Sequence, residues 1–381
     1  MIDYDVAIIG GGIAGLSLGA SLGSDASTVV IEAEDQPGYH STGRSAAILA
    51  QNYGNTLIRA LTAWSVPDLG GKNGERLSKR GLVRIATEQQ RPRLRSLYDD
   101  MVQDTPMDWI TGEEVEARVP ILRSGRIVCG FANDNAADID VGRMVQDYAS
   151  ALRQAGGALI SGSPVTTLIH QLGRWQITLA SGDTMTAGLV VNAAGAWADQ
   201  LADIAGTVPL GLTPMRRTAV TFDPPAGTDL AALPMTVDAD EAFYLKPEAG
   251  LLMASPGDET PVLPGDSRPE ELDVAICIDR IETAFEIEIR RPRATWSGLR
   301  TFAPDRSPLC GWDPEVPGFY WLAGQGGYGV QTAPALARLA ADDILGRSGA
   351  ARTKIEGVSR AALDPARLST PRNQARQQKG V

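Results

Sequence analysis

The chain has 381 residues, 43% hydrophobic and 21% charged, with 35 basic against 46 acidic side chains and a net charge of −11. That length can bury a core for two interleaved domains, and the acidic balance argues against a broad nucleic-acid surface while leaving room for a local cationic pocket. Two histidines, His40 and His170, and three scattered cysteines, Cys129, Cys277 and Cys310, exclude a His-rich metal site, a His-based triad and a CxxC or disulfide framework, so no metal is expected. No apolar run approaches the roughly 18 residues of a membrane span. The acidic start, Met1-Ile2-Asp3-Tyr4-Asp5, is the wrong flank for a secretory signal, so the expected location is cytoplasmic, without a transmembrane segment.

In chain order, Val6–Ile9 reads as a strand buried on both faces, and it breaks into Gly10-Gly11-Gly12. Ile13–Leu22 reads as a helix of small and apolar residues, and Thr28–Ile31 as a second strand ending at Glu32. These form a βαβ unit. A more polar region follows from about Asn55 to Asn133, with a surface loop at Gly70–Gly74. Asp140 caps a helix over Val141–Ala155, which Gly156-Gly157 stops. Strands are predicted at Ala158–Ile160, Val165–Ile169, Trp175–Leu179, Thr184–Thr186 and Leu189–Asn192. Pro209–Trp296 reads as strand and loop, Phe319–Ala323 as a buried strand, Gly324–Gly329 as a glycine-dense turn, and Gln331–Leu345 as a helix. The tail from Ala350, with Arg352, Lys354, Arg360, Arg367, Arg372, Arg376 and Lys379, reads as partly ordered and solvated.

Gly10-x-Gly12-x-x-Gly15 matches GxGxxG. With 41 glycines such a match can arise by chance, so its setting between strand, helix and Glu32 carries the reading. Gly10 allows a tight turn, Gly12 lets a pyrophosphate approach the backbone, and Gly15 lets helix and strand pack closely. The helix N-terminus offers N–H groups and a positive dipole end, while Glu32 is placed to accept hydrogen bonds from ribose hydroxyls and disfavours a 2′-phosphate. FAD is favoured over NAD by two later elements. Gly38–Ala47 suits a loop wrapping a long cofactor, and Gly324–Gly329 begins a second helix whose N-terminus can face the flavin N1–C2=O region.

Together these elements resemble the D-amino-acid oxidase/dehydrogenase (DAO) family of FAD-dependent oxidoreductases, most closely its bacterial D-arginine dehydrogenase branch. Val191–Trp197, Gly298–Asp305 and Gly324–Gly329 carry the likeness. The resemblance implies an α/β fold with two parts. A Rossmann-like FAD domain would comprise residues 1–80, 135–208 and 297–350. An α+β substrate domain on a mixed sheet would comprise residues 81–134 and 209–296, leaving 351–381 as a basic tail. Flavin contacts are implied at Gly10, Gly12, Ala14, Gly15, Glu32 and Ala33, and in the loop Ser41, Thr42, Gly43, Arg44, Ser45, Ala46 and Ala47. Further contacts are implied at Val165, Ala194, Gly195 and Arg300, and in the turn Gly326, Gly327, Tyr328, Gly329, Val330 and Gln331. No cysteine stands near Gly298–Phe302, so the FAD is expected to be non-covalent.

An amino-acid carboxylate calls for a bidentate arginine. The resemblance places Arg300 in that role, with Tyr53 and Tyr244 as catalytic-site tyrosines and Arg217, Gly327 and Gln331 beside them. Arg216 and Arg217 are neighbours on a strand and point to opposite faces. The implied reaction is oxidative deamination. The Cα hydrogen leaves as a hydride to flavin N5, the imino acid hydrolyses to a 2-oxo acid, and O2 or a quinone takes the electrons. Leu82 stands where a D-arginine enzyme has a glutamate, and Ile48 and Ala50 replace polar residues, so an apolar D-amino acid is expected and cationic ones are disfavoured. Lys79 and Arg80 would add repulsion if either faces the pocket. The alternatives are an oxidase of glycine or an N-substituted glycine on the same scaffold, and a non-catalytic FAD subunit of a heteromeric dehydrogenase.

Overall fold

The computed structural model describes residues 2–368, built on two large sheets and one small one. The strand Ile2–Ile9 lies between two parallel neighbours, Thr28–Ile31 and Thr184–Asn192, and both its faces are buried, Val6 and Ile8 in one core and Ala7 and Ile9 in another. Parallel neighbours need a crossover, and helix Ile13–Leu22 supplies it. That helix is apolar nearly all round because it also packs on helix Gly329–Ile344, with Leu16, Leu18 and Leu22 in one core with Leu336, Leu339 and Ala340. This first sheet has eight strands. Ala158–Ile160 continues it beyond Thr28–Ile31, while Arg174–Leu179, Val165–Gln171, Phe319–Ala323 and Leu309–Trp312 complete it.

Two predicted strands, Thr184–Thr186 and Leu189–Asn192, form one continuous strand, Thr184–Asn192. The glycine that separates them in sequence is a close-approach position: a Cβ on Gly188 would lie 3.0 Å from the Asp5 carbonyl oxygen. The polar region after Asn55 holds three helices, Thr56–Leu69, Arg91–Met101 and Gly112–Arg118, the first capped by the Asn55 side chain.

The second sheet has nine strands, drawn from residues 82 to 302. Its order begins Thr260–Pro261, Thr213–Phe222, Leu251–Ser255, Tyr244–Glu248, then Met235–Asp238, Leu82–Ala86, Cys129–Asn133 and Asp108–Thr111. Strand Ala294–Phe302 pairs along Thr213–Phe222, from Thr213 opposite Phe302 to Thr221 opposite Ala294. The expected boundary at residue 297 therefore falls inside a strand of the second sheet, because this hydrogen-bonded ladder runs through it. Helix Glu271–Ala284 lies in a stretch read as strand and loop. Its buried positions Cys277, Ile281 and Ala284 have helical spacing, but β-branched Val274, Ile276, Ile278 and Thr283 imitate a strand. The helix covers the back of the sheet, where Arg216 pairs with Glu270 and Asp273.

A three-stranded sheet of Ile48–Leu49, Ala137–Ile139 and Leu77–Lys79 lies where the two halves meet. The described part of the C-terminal tail is packed rather than solvated. Ile355 and Leu363 are buried, and Arg360 donates to the Leu339 carbonyl and to Asp343. Arg372, Arg376 and Lys379 lie outside the described residues. Among the described residues no helix is long and apolar enough to cross a membrane.

Candidate active site

Three cavities join end to end across the seam between the sheets. The first, about 360 Å³, opens at the C-terminal ends of the parallel strands. Gly10, Gly12, Glu32, Ala33, Ser41, Thr42, Val165, Ala194 and Gly195 line it. Gly10 has φ +113°, and a Cβ there would sit 2.2 Å from the Ala193 carbonyl oxygen. A Cβ on Gly15 would lie 2.0 Å from the Gly10 carbonyl oxygen, so this glycine serves packing and does not line the cavity. The Glu32 carboxylate accepts from the Gly11 and Glu34 amides at 2.7 and 2.9 Å, which fixes its position at the cavity wall. The Thr42 hydroxyl accepts from the Ile13 amide at 3.1 Å and ties the wrapping loop to the helix start.

The second cavity shares Gly12, Ser41, Thr42 and Gly195 with the first, and adds Ala14, Arg44, Ser45, Ala46, Arg300, Gly326, Gly327, Gly329 and Val330. Arg44 reaches across the seam to the Ser267 and Ser297 carbonyls and to Asp266. Lys246 is buried and donates to the Ala46 carbonyl at 3.0 Å while pairing with Asp138 and Glu248, which holds the loop at Ala46. Gly43 closes the turn by donating to the Gly38 carbonyl, and the Tyr328 ring packs tilted against Tyr53 with ring centroids 4.8 Å apart.

The third cavity, about 60 Å³, is the substrate candidate. All nine residues predicted for the substrate line it: Ile48, Ala50, Tyr53, Leu82, Arg217, Tyr244, Arg300, Gly327 and Gln331. They arrive on separate elements. Arg300 and Arg217 come from adjacent strands of the second sheet, Tyr244 from another, and Tyr53 and Ala50 from the connection after Ile48–Leu49. An Arg300 Nη1 donates to the Tyr53 hydroxyl at 3.4 Å. Arg300 lies inside the fold with part of its surface open to the cavity; burial works against its charge, yet Tyr53 and Tyr244 hold its pKa above the usual value. Arg300 is therefore cationic at every working pH.

Other expected residues have local tasks. The Arg217 guanidinium donates to the Asp258 carbonyl and to Glu259 while lining the chamber. The Gln331 amide spans the Ala50 amide and the Thr62 hydroxyl, so it braces the wall. Lys79 is exposed and Arg80 pairs with Asp138; neither lines the chamber. Sequence reasoning missed Arg84, Glu241, Met235 and Val237, which do. The signal was there for Arg84: it stands two residues after Leu82 on a strand and shares its face.

A family profile described as DAO, FAD dependent oxidoreductase, matches residues 5–343. The chain belongs to this DAO family. Glycine oxidase of Geobacillus kaustophilus is 26% identical over 360 residues, covering 89% of this chain and 92% of that protein. Mouse mitochondrial dimethylglycine dehydrogenase is 26% identical over 291 residues, and the match spans only 33% of its length. Among solved structures, the Geobacillus kaustophilus glycine oxidase has a TM-score of 0.81 at 23% identity over 98% of this chain and 99% of that one. The FAD-bound L-α-glycerophosphate oxidase of Mycoplasma pneumoniae reaches 0.83 at 17% identity over 94% and 99%. These two structural likenesses speak for the fold.

The residues of this DAO-family protein fit FAD. The cavities form one continuous elongated trough, and a helix N-terminus meets it at Gly12 and again at Gly329. A Cβ on Gly327 would crowd the Arg300 guanidinium at 3.0 Å, so the trough is shaped to the backbone there. The protein is an FAD-dependent oxidoreductase.

Proposed function

We propose that the enzyme oxidises the C–N bond of an amine that carries a carboxylate: a D-amino acid, glycine or an N-substituted glycine. The observation that carries this reading is the convergence of Arg300, Tyr53 and Tyr244 on one small chamber that opens onto the cofactor trough. The names of two relatives, glycine oxidase and dimethylglycine dehydrogenase, support the same substrate class. Leu82 leaves no carboxylate at the position that a D-arginine enzyme uses, which speaks against that branch's substrate. Ile48, Ala50, Leu82, Met235 and Val237 give the chamber apolar walls around the reacting carbon, with the Arg84–Glu241 pair at its far end.

Gly10, Gly12, Glu32 and the Ser41–Ala47 loop would hold the adenosine-diphosphate and linking parts of FAD, and Gly326–Val330 with Ala46 its ring. None of the three cysteines lines the trough, which speaks against a cysteinyl link to the flavin. When bound, FAD accepts two electrons with the hydrogen from the substrate carbon. The protein supplies position. Arg300 grips both carboxylate oxygens through its fork of donors, and the Tyr53 and Tyr244 hydroxyls fix the rotation of that carboxylate. Arg300 holds the substrate by its carboxylate, and the amine reacts in its neutral form once solvent has taken the ammonium proton. The imine leaves the chamber and water hydrolyses it to the 2-oxo acid and an amine or ammonia. Electrons leave the enzyme to O2 or a quinone-class acceptor. Turnover of glycine, N-methylglycine, D-alanine, D-leucine and D-arginine, measured as peroxide in air and with an artificial acceptor, tests the reading. Carboxylate-bearing neutral amines should lead and D-arginine should trail; D-arginine in the lead would overturn it.

A further inference from the structure

The chamber has a charged far end that the carboxylate clamp does not use. Strand Leu82–Ala86 alternates: Val83 and Ile85 join the core behind the second sheet, while Leu82 and Arg84 line the chamber. Arg84 stands opposite Val237, which stands opposite Tyr244 on the next strand. Tyr244 and Arg84 therefore lie two strand spacings apart in one row, about 10 Å between backbones. Between them the wall is Leu82, Met235 and Val237.

The Arg84 side chain is only 6% exposed, yet its partner Glu241 is 49% exposed, at 3.0 Å from one terminal nitrogen. Glu241 sits in a tight turn with φ +57°, an unusual conformation for a glutamate. An ion pair with one partner half in water is weakly held and screened, which is poor compensation for a buried guanidinium. Glu241 engages one of the five donors that the guanidinium carries. On its chamber side Arg84 is a buried cation suited to an anion. The chamber is thus cationic at Arg300, apolar in the middle and closed at its far end by the Arg84–Glu241 pair, where a substrate carboxylate would bind Arg84 beside or in place of the half-exposed Glu241.

We propose that Arg84 reads a second anionic group, so that the substrate is an amine with two carboxylates, one held at Arg300 and one at Arg84. This rests on the C–N oxidation proposed above and narrows its substrate class to acidic D-amino acids and N-(carboxyalkyl)glycines. Arg84 is a specificity residue and takes no part in the bond changes.

The test is kcat/KM on the FAD-loaded enzyme for D-aspartate, D-glutamate and N-(carboxymethyl)glycine, each against a neutral counterpart: D-asparagine, D-glutamine and N-methylglycine. Wild type should prefer the dicarboxylates by roughly 10-fold or more, the scale of one charge-assisted contact. Arg84→Met should lower kcat/KM for the dicarboxylates by roughly 10- to 100-fold, mainly through KM, and move the neutral amines less than about 3-fold. Glu241→Gln, which frees Arg84 without removing it, should act in the opposite direction on the dicarboxylates. It keeps the test open if Arg84→Met loses flavin. Neutral amines turned over as well as the dicarboxylates, or Glu241→Gln leaving the ratio unchanged, would overturn the inference alone. Turnover of no amine at all would overturn the underlying reaction with it.

Discussion

Replacing Arg300 with methionine keeps the bulk of the side chain and removes its charge and donors. The guanidinium faces the chamber beside Tyr53 and Tyr244, and no carboxylate of the protein is paired with it among the described ion pairs. A bound carboxylate would be its counterion. Two charge-assisted hydrogen bonds are worth about 1.5–3 kcal/mol each, but the clamp is partly open to the cavity, so we take the lower end, about 3 kcal/mol in all. That corresponds to a loss of roughly 100-fold in kcat/KM for an amino acid. The carboxylate sits on the carbon whose hydrogen leaves, so losing the clamp both weakens binding and misaligns that carbon, and the loss falls on KM and kcat together. The control is the same amine without its carboxylate, methylamine for glycine. Wild type should discriminate strongly between the two, and Arg300→Met should erase most of that discrimination. Arg300→Lys should recover part of it, since the charge returns without the fork. If the variant slows both substrates alike, or changes the amino acid by less than about 5-fold, the clamp assignment is wrong.

Gly10→Ala places a Cβ 2.2 Å from the Ala193 carbonyl oxygen at φ +113°, so the purified protein should carry little FAD, read from its flavin-to-protein absorbance ratio. Lys246→Met strands Glu248 and one oxygen of Asp138, which keeps Arg80 on the other. It should cost about 3 kcal/mol in urea unfolding of the holoenzyme; a change within experimental error would show that the buried lysine is not what anchors Ala46. Burial pushes the Cys277 and Cys310 thiols up to about 12, so both stay protonated at pH 8. A thiol reagent should leave both unmodified in the native protein and label them on unfolding; fast labelling of either would contradict their burial.

Local pattern carried the first sheet. Ile13–Leu22, Thr28–Ile31 and Phe319–Ala323 have the expected bounds, because buried strands write themselves as short β-branched or aromatic runs beside glycine, and the crossover helix as a stretch of small and apolar residues. The second sheet was less legible. Its strands come from residues 82 to 302, and pairing over such distances leaves no local trace, so the boundary at 297 cut a strand and helix Glu271–Ala284 went unseen. The substrate chamber was legible through resemblance alone. Tyr53, Leu82, Arg217, Tyr244 and Arg300 are scattered along the chain, and no spacing rule joins them. Resemblance also hid something. Attention to Leu82 as the missing acid passed over Arg84, whose position on the same strand face makes the far end of the chamber charged.

Anaerobic addition of amines to the FAD-loaded protein tests the central claim most directly. The account predicts that carboxylate-bearing amines bleach the visible flavin band with one equivalent of substrate per flavin, and that the same amines stripped of the carboxylate do so far more slowly. Bleaching that ignores the carboxylate, or none with any amine, would contradict it.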